Sequence, residues 1–251
     1  MDLELLRSRH SVRSYSVDSL NEKIINRLRS EVTYINTHEA GLNFQLCFDD
    51  GQPFAGMARS YGMFRNVRNY LVAVIDPTFA AAYERAGFFA EQFVMEAVEA
   101  GLGTCFVGGT FSRDHVGARV EVYEKIPFVV TFGIADERHT SFMAKMAARL
   151  SHRKSLAPRE FFDGSDEEYE EAKKDFPWLE TGLEAIACAP SALNKQPVRI
   201  TAKTIDNKKQ IIAYTVDPAK YAVDLGIAKF NFSSVVPGIW DWGEKGVFYP
   251  D

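Results

Sequence analysis

The run Tyr70–Ile75 (YLVAVI), apolar at every position and stopped by Asp76-Pro77, limits the possible folds more than any other stretch of the chain. Consecutive apolar residues place side chains on both faces of an extended segment, so the run predicts a central strand covered on both sides. The covering layer is close by in sequence. Arg85–Ala100 puts Phe89, Phe93 and Ala97 on one side of a helix and Ala90, Val94 and Val98 on another, leaving only a narrow acidic stripe. Such a helix is buried over most of its circumference. Gly101 suits the left-handed residue beyond a helix end and Leu102 the apolar contact that accompanies it.

Weaker periodic signals fill in the rest. Asp18–Asn36 is amphipathic at helical spacing through Leu20, Ile24, Ile25 and Leu28, and Asn43–Phe48 and Phe128–Ile134 read as strands. Leu150–Asp175 shifts to a basic patch and then an acidic run, which reads as a solvated connector. Beyond it, Trp178–Cys188 is a helix broken by Ala189-Pro190. Val198–Ala202 and Gln210–Thr215 are strands, Asp224–Phe232 is a second buried helix, and the tail Gly238–Asp251 shows no clear period. Strands interleave with helices without a regular crossover repeat, which predicts an α+β sandwich.

The bulk numbers exclude several functions. With 251 residues, 46% of them apolar, the chain can bury a core without disulfides. The formal charge is −5 and no stretch forms a basic tract, so nucleic acid is not an expected partner. Cys47, Cys105 and Cys188 lie far apart, and the five histidines have no metal-ligand spacing, so no metal site is expected. No apolar run approaches the roughly 20 residues of a membrane span, and the N-terminus lacks the apolar core of a secretory leader. The expected location is the cytoplasm, with no membrane partner.

Four constellations carry potential chemistry. In Arg9-His10-Ser11-Val12-Arg13, extended backbone sends Arg9, Ser11 and Arg13 to one side, and paired guanidinium forks match phosphate geometry. The alternative is a solvated basic terminus. In Ala189-Pro190-Ser191-Ala192-Leu193-Asn194-Lys195-Gln196-Pro197, Asn and Gln side chains offer donor and acceptor together, as the alternating edge of a flavin requires. An ordinary structural turn fits the same residues. Gly101–Gly109 holds four glycines around a short apolar strand, and Gly108 and Gly109, next to Val107, allow close backbone approach by a flat ligand. Capping and bending account for glycines there as well. Arg153-Lys154 is either a surface pair or the completion of a phosphate site.

Together and in this order, these pieces resemble the FMN-dependent nitroreductase family, and the resemblance covers most of the chain. It implies a nitroreductase-like α+β sandwich with a mixed or antiparallel sheet flanked by helices. It also implies that Arg9, Ser11 and Arg13 hold the FMN phosphate and ribityl chain with Arg13 near the flavin pyrimidine edge, that Arg153 and Lys154 serve the phosphate, and that His10 belongs to the same cofactor site. Val107, Gly108 and Gly109 would lie against the isoalloxazine, and Pro190, Ser191, Ala192, Asn194 and Gln196 would form the flavin loop. The order of motifs differs from ordinary family members. Their Ser-x-x-Asn loop follows the first helix closely, whereas here Val32–Leu46 has no such loop and the motif comes after Arg153-Lys154. This resembles the single-chain branch, in which two halves imitate a dimer. Residues 1–160 would be the half with the phosphate cradle and residues 161–251 a degenerate half supplying the loop.

The activity implied is electron transfer from NAD(P)H through FMN to a small acceptor such as a nitroaromatic, quinone or flavin, with the cofactor carrying the chemistry and no side chain needed as acid or base. A monomer with an internal pseudo-dimer, or a weak homodimer, is the expected assembly. The competing expectation is a flavin-binding sensor or store without turnover.

Overall fold

The structure, a computed structural model, describes residues 1–136, 145, 155–205 and 208–251. The chain groups into two compact units. The first comprises Ser8–Ala82 and Gln92–His152, and the second comprises Met1–Arg7, Tyr83–Glu91 and Arg153–Asp251. In chain order the elements are α1 (Leu3–Ser8), α2 (Glu22–His38), β1 (Gln45–Cys47), α3 (Gly56–Ser60), β2 (Asn69–Val72), α4 (Ala82–Glu99), β3 (Gly103–Val107) and β4 (Val129–Gly133). There follow α5 (Asp166–Asp175), α6 (Leu179–Cys188), β5 (Val198–Ile205), β6 (Lys208–Thr215), α7 (Pro218–Val235), β7 (Gly238–Trp240) and β8 (Gly246–Pro250).

In the first unit β1-β2-β4-β3 form an antiparallel sheet. β2 is central and buried throughout, as its apolar run predicts. The ladder stops at Val72 instead of running to Ile75 because the Val74 amide folds back onto the Val72 carbonyl at 3.1 Å. Ala73, Val74 and Ile75 are still fully buried, and Ile75 rejoins its neighbours through single bridges to Leu42 and Lys125. Helix α2 starts at Asn21, whose side chain accepts from the Lys23 amide, and it buries Leu28, Val32 and Ile35. Gln92–Glu99 of α4 belong to this unit: Phe93 meets Phe132 edge-on, and Arg27 pairs with Glu96 and Glu99. Gly101, at φ +80°, follows the helix end as the sequence predicts.

The second unit has its own antiparallel sheet, β5-β6-β8-β7. The Trp- and Gly-rich tail that lacks a period supplies two of these strands, each too short to show alternation. The acidic stretch read as a connector contains α5. Ser165 and Glu168 form a reciprocal capping box, and the carboxylates of the first turn sit at the positive end of the helix dipole. Helix α7 is longer than expected and buried almost all round, so it has no polar face from which to read its ends. Its Phe232 packs against Trp178, Trp240 and Phe248. Gly182 of α6 lets that ring in, since a Cβ there would lie 2.2 Å from Phe232 Cε2.

The start of α4, Tyr83–Glu91, crosses α7 backbone to backbone. A Cβ on Gly87 would stand 2.1 Å from the Val223 carbonyl oxygen, and one on Gly226 would stand 1.8 Å from that of Glu84. A helical glycine costs about 1 kcal/mol relative to alanine, and here two of them permit the crossing. One turn beyond Gly226, Lys229 and Glu84 form a buried ion pair at 2.5 Å, and the ammonium also donates to the Asp241 carbonyl at 2.9 Å. The fold is thus α+β with antiparallel sheets. No helix among the described residues is long and apolar enough to cross a membrane.

Candidate functional site

In the first unit the segment after α1 runs along β3. Ser11 bridges to Thr104 in parallel fashion, and the Val12 amide donates to the Thr104 carbonyl at 2.8 Å. Tyr15 anchors the segment from below, its hydroxyl donating to the Val12 carbonyl at 2.7 Å with Thr131 Oγ1 also at 2.7 Å. Burial raises the Tyr15 pKa well above its usual value, so the phenol stays neutral. Val12 turns inward over Gly103, and its neighbours are free to face away.

Beneath the segment, Cys105 is buried in the same core cluster as Val12. Burial raises the Cys105 pKa, while the Arg13 charge, a hydrogen bond from Ser11 and the Arg9 charge pull it down. Val12 is buried, while Ser11 is exposed and Arg9 and Arg13 are half-buried. Arg9 Nε is buried and has no partner among the described residues. An unpaired guanidinium N–H is costly unless a ligand or water satisfies it. His10 is exposed, with Nδ1 3.2 Å from the Ser8 carbonyl oxygen.

Gly108 and Gly109 follow β3 and are exposed. A Cβ at either position would meet nothing within 4 Å, and neither has a positive φ, so no packing or backbone requirement inside the unit calls for glycine. Arg113 braces the turn, its Nη2 donating to the Gly108 carbonyl at 2.9 Å. Val107 points its side chain into the core and offers a ligand only its backbone.

In the second unit α6 ends at Cys188 and Ala189–Pro197 leads into β5. Leu193, Asn194 and Gln196 all take left-handed backbone conformations, at φ 53°, 50° and 50°. Such strain at residues other than glycine persists only where the surroundings over-determine it, and it concentrates at functional sites. Ser191 Oγ accepts from the Gln196 amide at 2.9 Å, and the Ser191 carbonyl accepts from the Asn194 amide at 2.9 Å. The Gln196 side chain is buried; its Oε1 accepts from the Leu156 amide at 2.8 Å and its Nε2 donates to the Asn194 carbonyl at 3.3 Å. Gln196 thus braces the loop, while Pro190, Ser191 and Asn194 are half-buried and Ala192 is exposed. Arg153 and Lys154 lie outside the described residues.

Two residues that hydrogen-bond to the sequence-predicted positions lie outside every motif. Arg113 looks like any surface charge. Asp224 of α7, whose carboxylate accepts from the Ala192 amide at 3.2 Å, is the one acid in an otherwise apolar helical stretch, and that was a usable signal.

The family model described as "Putative TM nitroreductase" matches residues 2–235. The chain belongs to this nitroreductase family. Among solved structures, a protein described as a putative nitroreductase from Thermotoga maritima MSB8 superposes with a TM-score of 0.61 at 16% identity, covering 98% of this chain and 91% of that one. At this identity the likeness shows a shared nitroreductase fold. An FMN-dependent nitroreductase from Clostridium difficile R20291 has a TM-score of 0.42 at 16% identity, covering 55% of this chain and 90% of that one. A nitroreductase with bound FMN from Bacteroides fragilis NCTC 9343 has a TM-score of 0.42 at 17% identity, covering 54% and 88%. No curated protein matches.

Proposed function

We propose that the protein binds FMN and acts as an oxidoreductase that passes electrons from NAD(P)H to a small acceptor such as a nitroaromatic, a quinone or a free flavin. The observation that carries this reading is the buried Arg9 Nε, which has no hydrogen-bond partner among the described residues and stands on the segment that also carries Ser11 and Arg13. Two further features fit the same ligand: glycines at 108 and 109 that the unit itself does not require, and a strained loop at 190–196 carrying the half-buried Ser191 and Asn194.

Arg9 and Ser11 would hold the phosphate and ribityl chain, since guanidinium forks bind phosphate oxygens in pairs. Arg13 would place a fixed positive charge where the ring system gains negative charge on reduction, favouring the reduced form. Gly108 and Gly109 would admit the flat ring face, with Arg113 keeping their turn in place. Ser191 and Asn194 would read the polar edge. Bound FMN supplies hydride acceptance from the nicotinamide and delivery of electrons to the acceptor. Keeping both substrates next to the ring in turn requires an open face above the glycines, and their exposure is consistent with that.

The test is the visible spectrum of the purified protein, followed by anaerobic addition of NADPH or NADH. A flavin spectrum that bleaches, with steady-state oxidation of the nicotinamide in the presence of menadione or a nitroarene, is the expected result. A bound flavin that neither reductant bleaches would make the protein a flavin store or sensor. A colourless protein that takes up no added FMN would overturn the cofactor assignment.

A further inference from the structure

Helix α7 is buried nearly all round, yet it carries a carboxylate, Asp224, among apolar neighbours. Burial drives that carboxyl up to about 6, and the Ala192 amide opposes the rise. A buried acid kept in an apolar helix needs a purpose to offset its desolvation. Among the described residues its hydrogen bonds come from a single donor. Both carboxylate oxygens face the backbone N–H of Ala192, at 3.2 and 3.4 Å.

Ala192 opens the turn that sets up the strained residues Leu193 and Asn194. One helical turn before Asp224, the Tyr221 hydroxyl accepts from Lys195 Nζ at 3.3 Å, so α7 grips the same turn at both ends. The cavity between Asp224, Pro190, Ser191 and Gln196 measures only about 10 Å3. A space of that size holds no more than a water, so Asp224 meets the underside of the loop and no larger ligand.

We infer that Asp224 is a positioning residue for the flavin loop: by accepting from the Ala192 amide it fixes the left-handed turn that presents Ser191 and Asn194 to the cofactor. This rests on the reading of residues 190–196 as a flavin-binding loop. The carboxylate acts through the backbone, which explains why it sits on a different element, 32 residues further along the chain.

The test compares wild type with Asp224→Ala, which removes the acceptor, and Asp224→Asn, which keeps one. Three quantities are read: the FMN dissociation constant, the absorption bands of bound flavin, and amide exchange of Ala192–Lys195 in the flavin-free protein. Asp224→Ala is expected to weaken FMN binding about tenfold, the worth of one lost hydrogen bond. It should also shift the flavin bands and speed exchange in the loop, without lowering the melting temperature. Asp224→Asn should restore all three. Wild-type affinity and bands in Asp224→Ala overturn the inference, and so does a loss that Asp224→Asn fails to rescue or that tracks a fall in melting temperature. Wild-type protein that takes up no FMN overturns the flavin reading itself, an outcome separate from these.

Discussion

Val12 lies so close against Gly103 that a methyl group on the glycine would come within 2.6 Å of the valine Cγ2. The contact seats the Arg9–Arg13 segment on β3, and Gly109 six residues later has open space above it. The two glycines should therefore respond differently. Gly103→Ala overpacks the contact, which typically costs 1–3 kcal/mol, and should lower the melting temperature by several degrees. Gly109→Val should leave the melting temperature unchanged and weaken FMN binding. Differential scanning calorimetry with a flavin titration checks both, and a Gly109→Val protein with wild-type affinity would remove that glycine from the site.

Arg9→Ala should leave the fold intact, because the buried Nε has no partner among the described residues to lose. A charge-assisted hydrogen bond contributes roughly 1.5 to 3 kcal/mol, so FMN affinity should fall about ten- to a hundredfold. Equilibrium titration of the flavin-free protein measures it. An unchanged constant would mean that the cradle holds something other than the cofactor.

The Lys229–Glu84 pair predicts an asymmetry between single and double variants. Burial pushes the Glu84 carboxyl up and the Lys229 ammonium down, and mutual attraction opposes both shifts. Lys229→Met alone strands a buried carboxylate and should cost about 3–5 kcal/mol, whereas Glu84→Gln with Lys229→Met should recover most of that. Denaturant melts at neutral pH measure the cycle. A double-variant loss equal to the sum of the losses in Lys229→Met and Glu84→Gln measured singly would show that the pair is not coupled.

How far the sequence could be read follows from how locally each feature is encoded. The central strand was legible because six consecutive apolar residues, Tyr70–Ile75, leave no solvent face, and α4 because its stripe of apolar residues is wide. Its early stop at Val72 depends on a local backbone turn that composition does not encode. Helix α5 was misread since charge density masks helical period, although Ser165 and Glu168 were visible as a capping pair. The alternation around Val12 was readable because an extended segment fixes which side each residue faces: Val12 is buried, and Ser11 and Arg13 are not. Asp224 meets the Ala192 amide across a long sequence separation, and no spacing rule reports that.

Acid titration should expose the burial of Asp224. Its carboxyl, ordinarily near 3.8, is raised to about 6 in the folded chain. The folded state therefore binds more protons than the unfolded state between those values, so stability falls as pH rises from about 4 to 6 and the loss is complete above that. The shift corresponds to about 3 kcal/mol at neutral pH. Asp224→Asn removes the penalty and should be more stable than wild type at pH 7.5, with the gap closing near pH 4. Melts at the two pH values settle it; a gap that does not change with pH would mean that Asp224 is not a buried charge at neutral pH.

The number of flavins per chain tests the single-chain reading. An ordinary family dimer carries two cradles and two Ser-x-x-Asn loops, giving two sites. This chain carries each motif once: Arg9, Ser11 and Arg13 occur only near the start, and Ser191 to Gln196 only in the later part. Val32–Leu46, where relatives place the loop, holds no Pro-Ser-x-x-Asn, so a second site has no residues to read the flavin edge. The expected ratio is therefore one FMN per chain. A chain that supplies both motifs also has no need of a partner to retain its flavin, so occupancy should persist when the protein is diluted to monomer. Flavin released by denaturation, divided by the chain concentration, gives the ratio, and light scattering on the native sample gives the mass to which it applies. A ratio near two, or flavin that leaves whenever the protein becomes monomeric, would return the chain to a site shared between two copies.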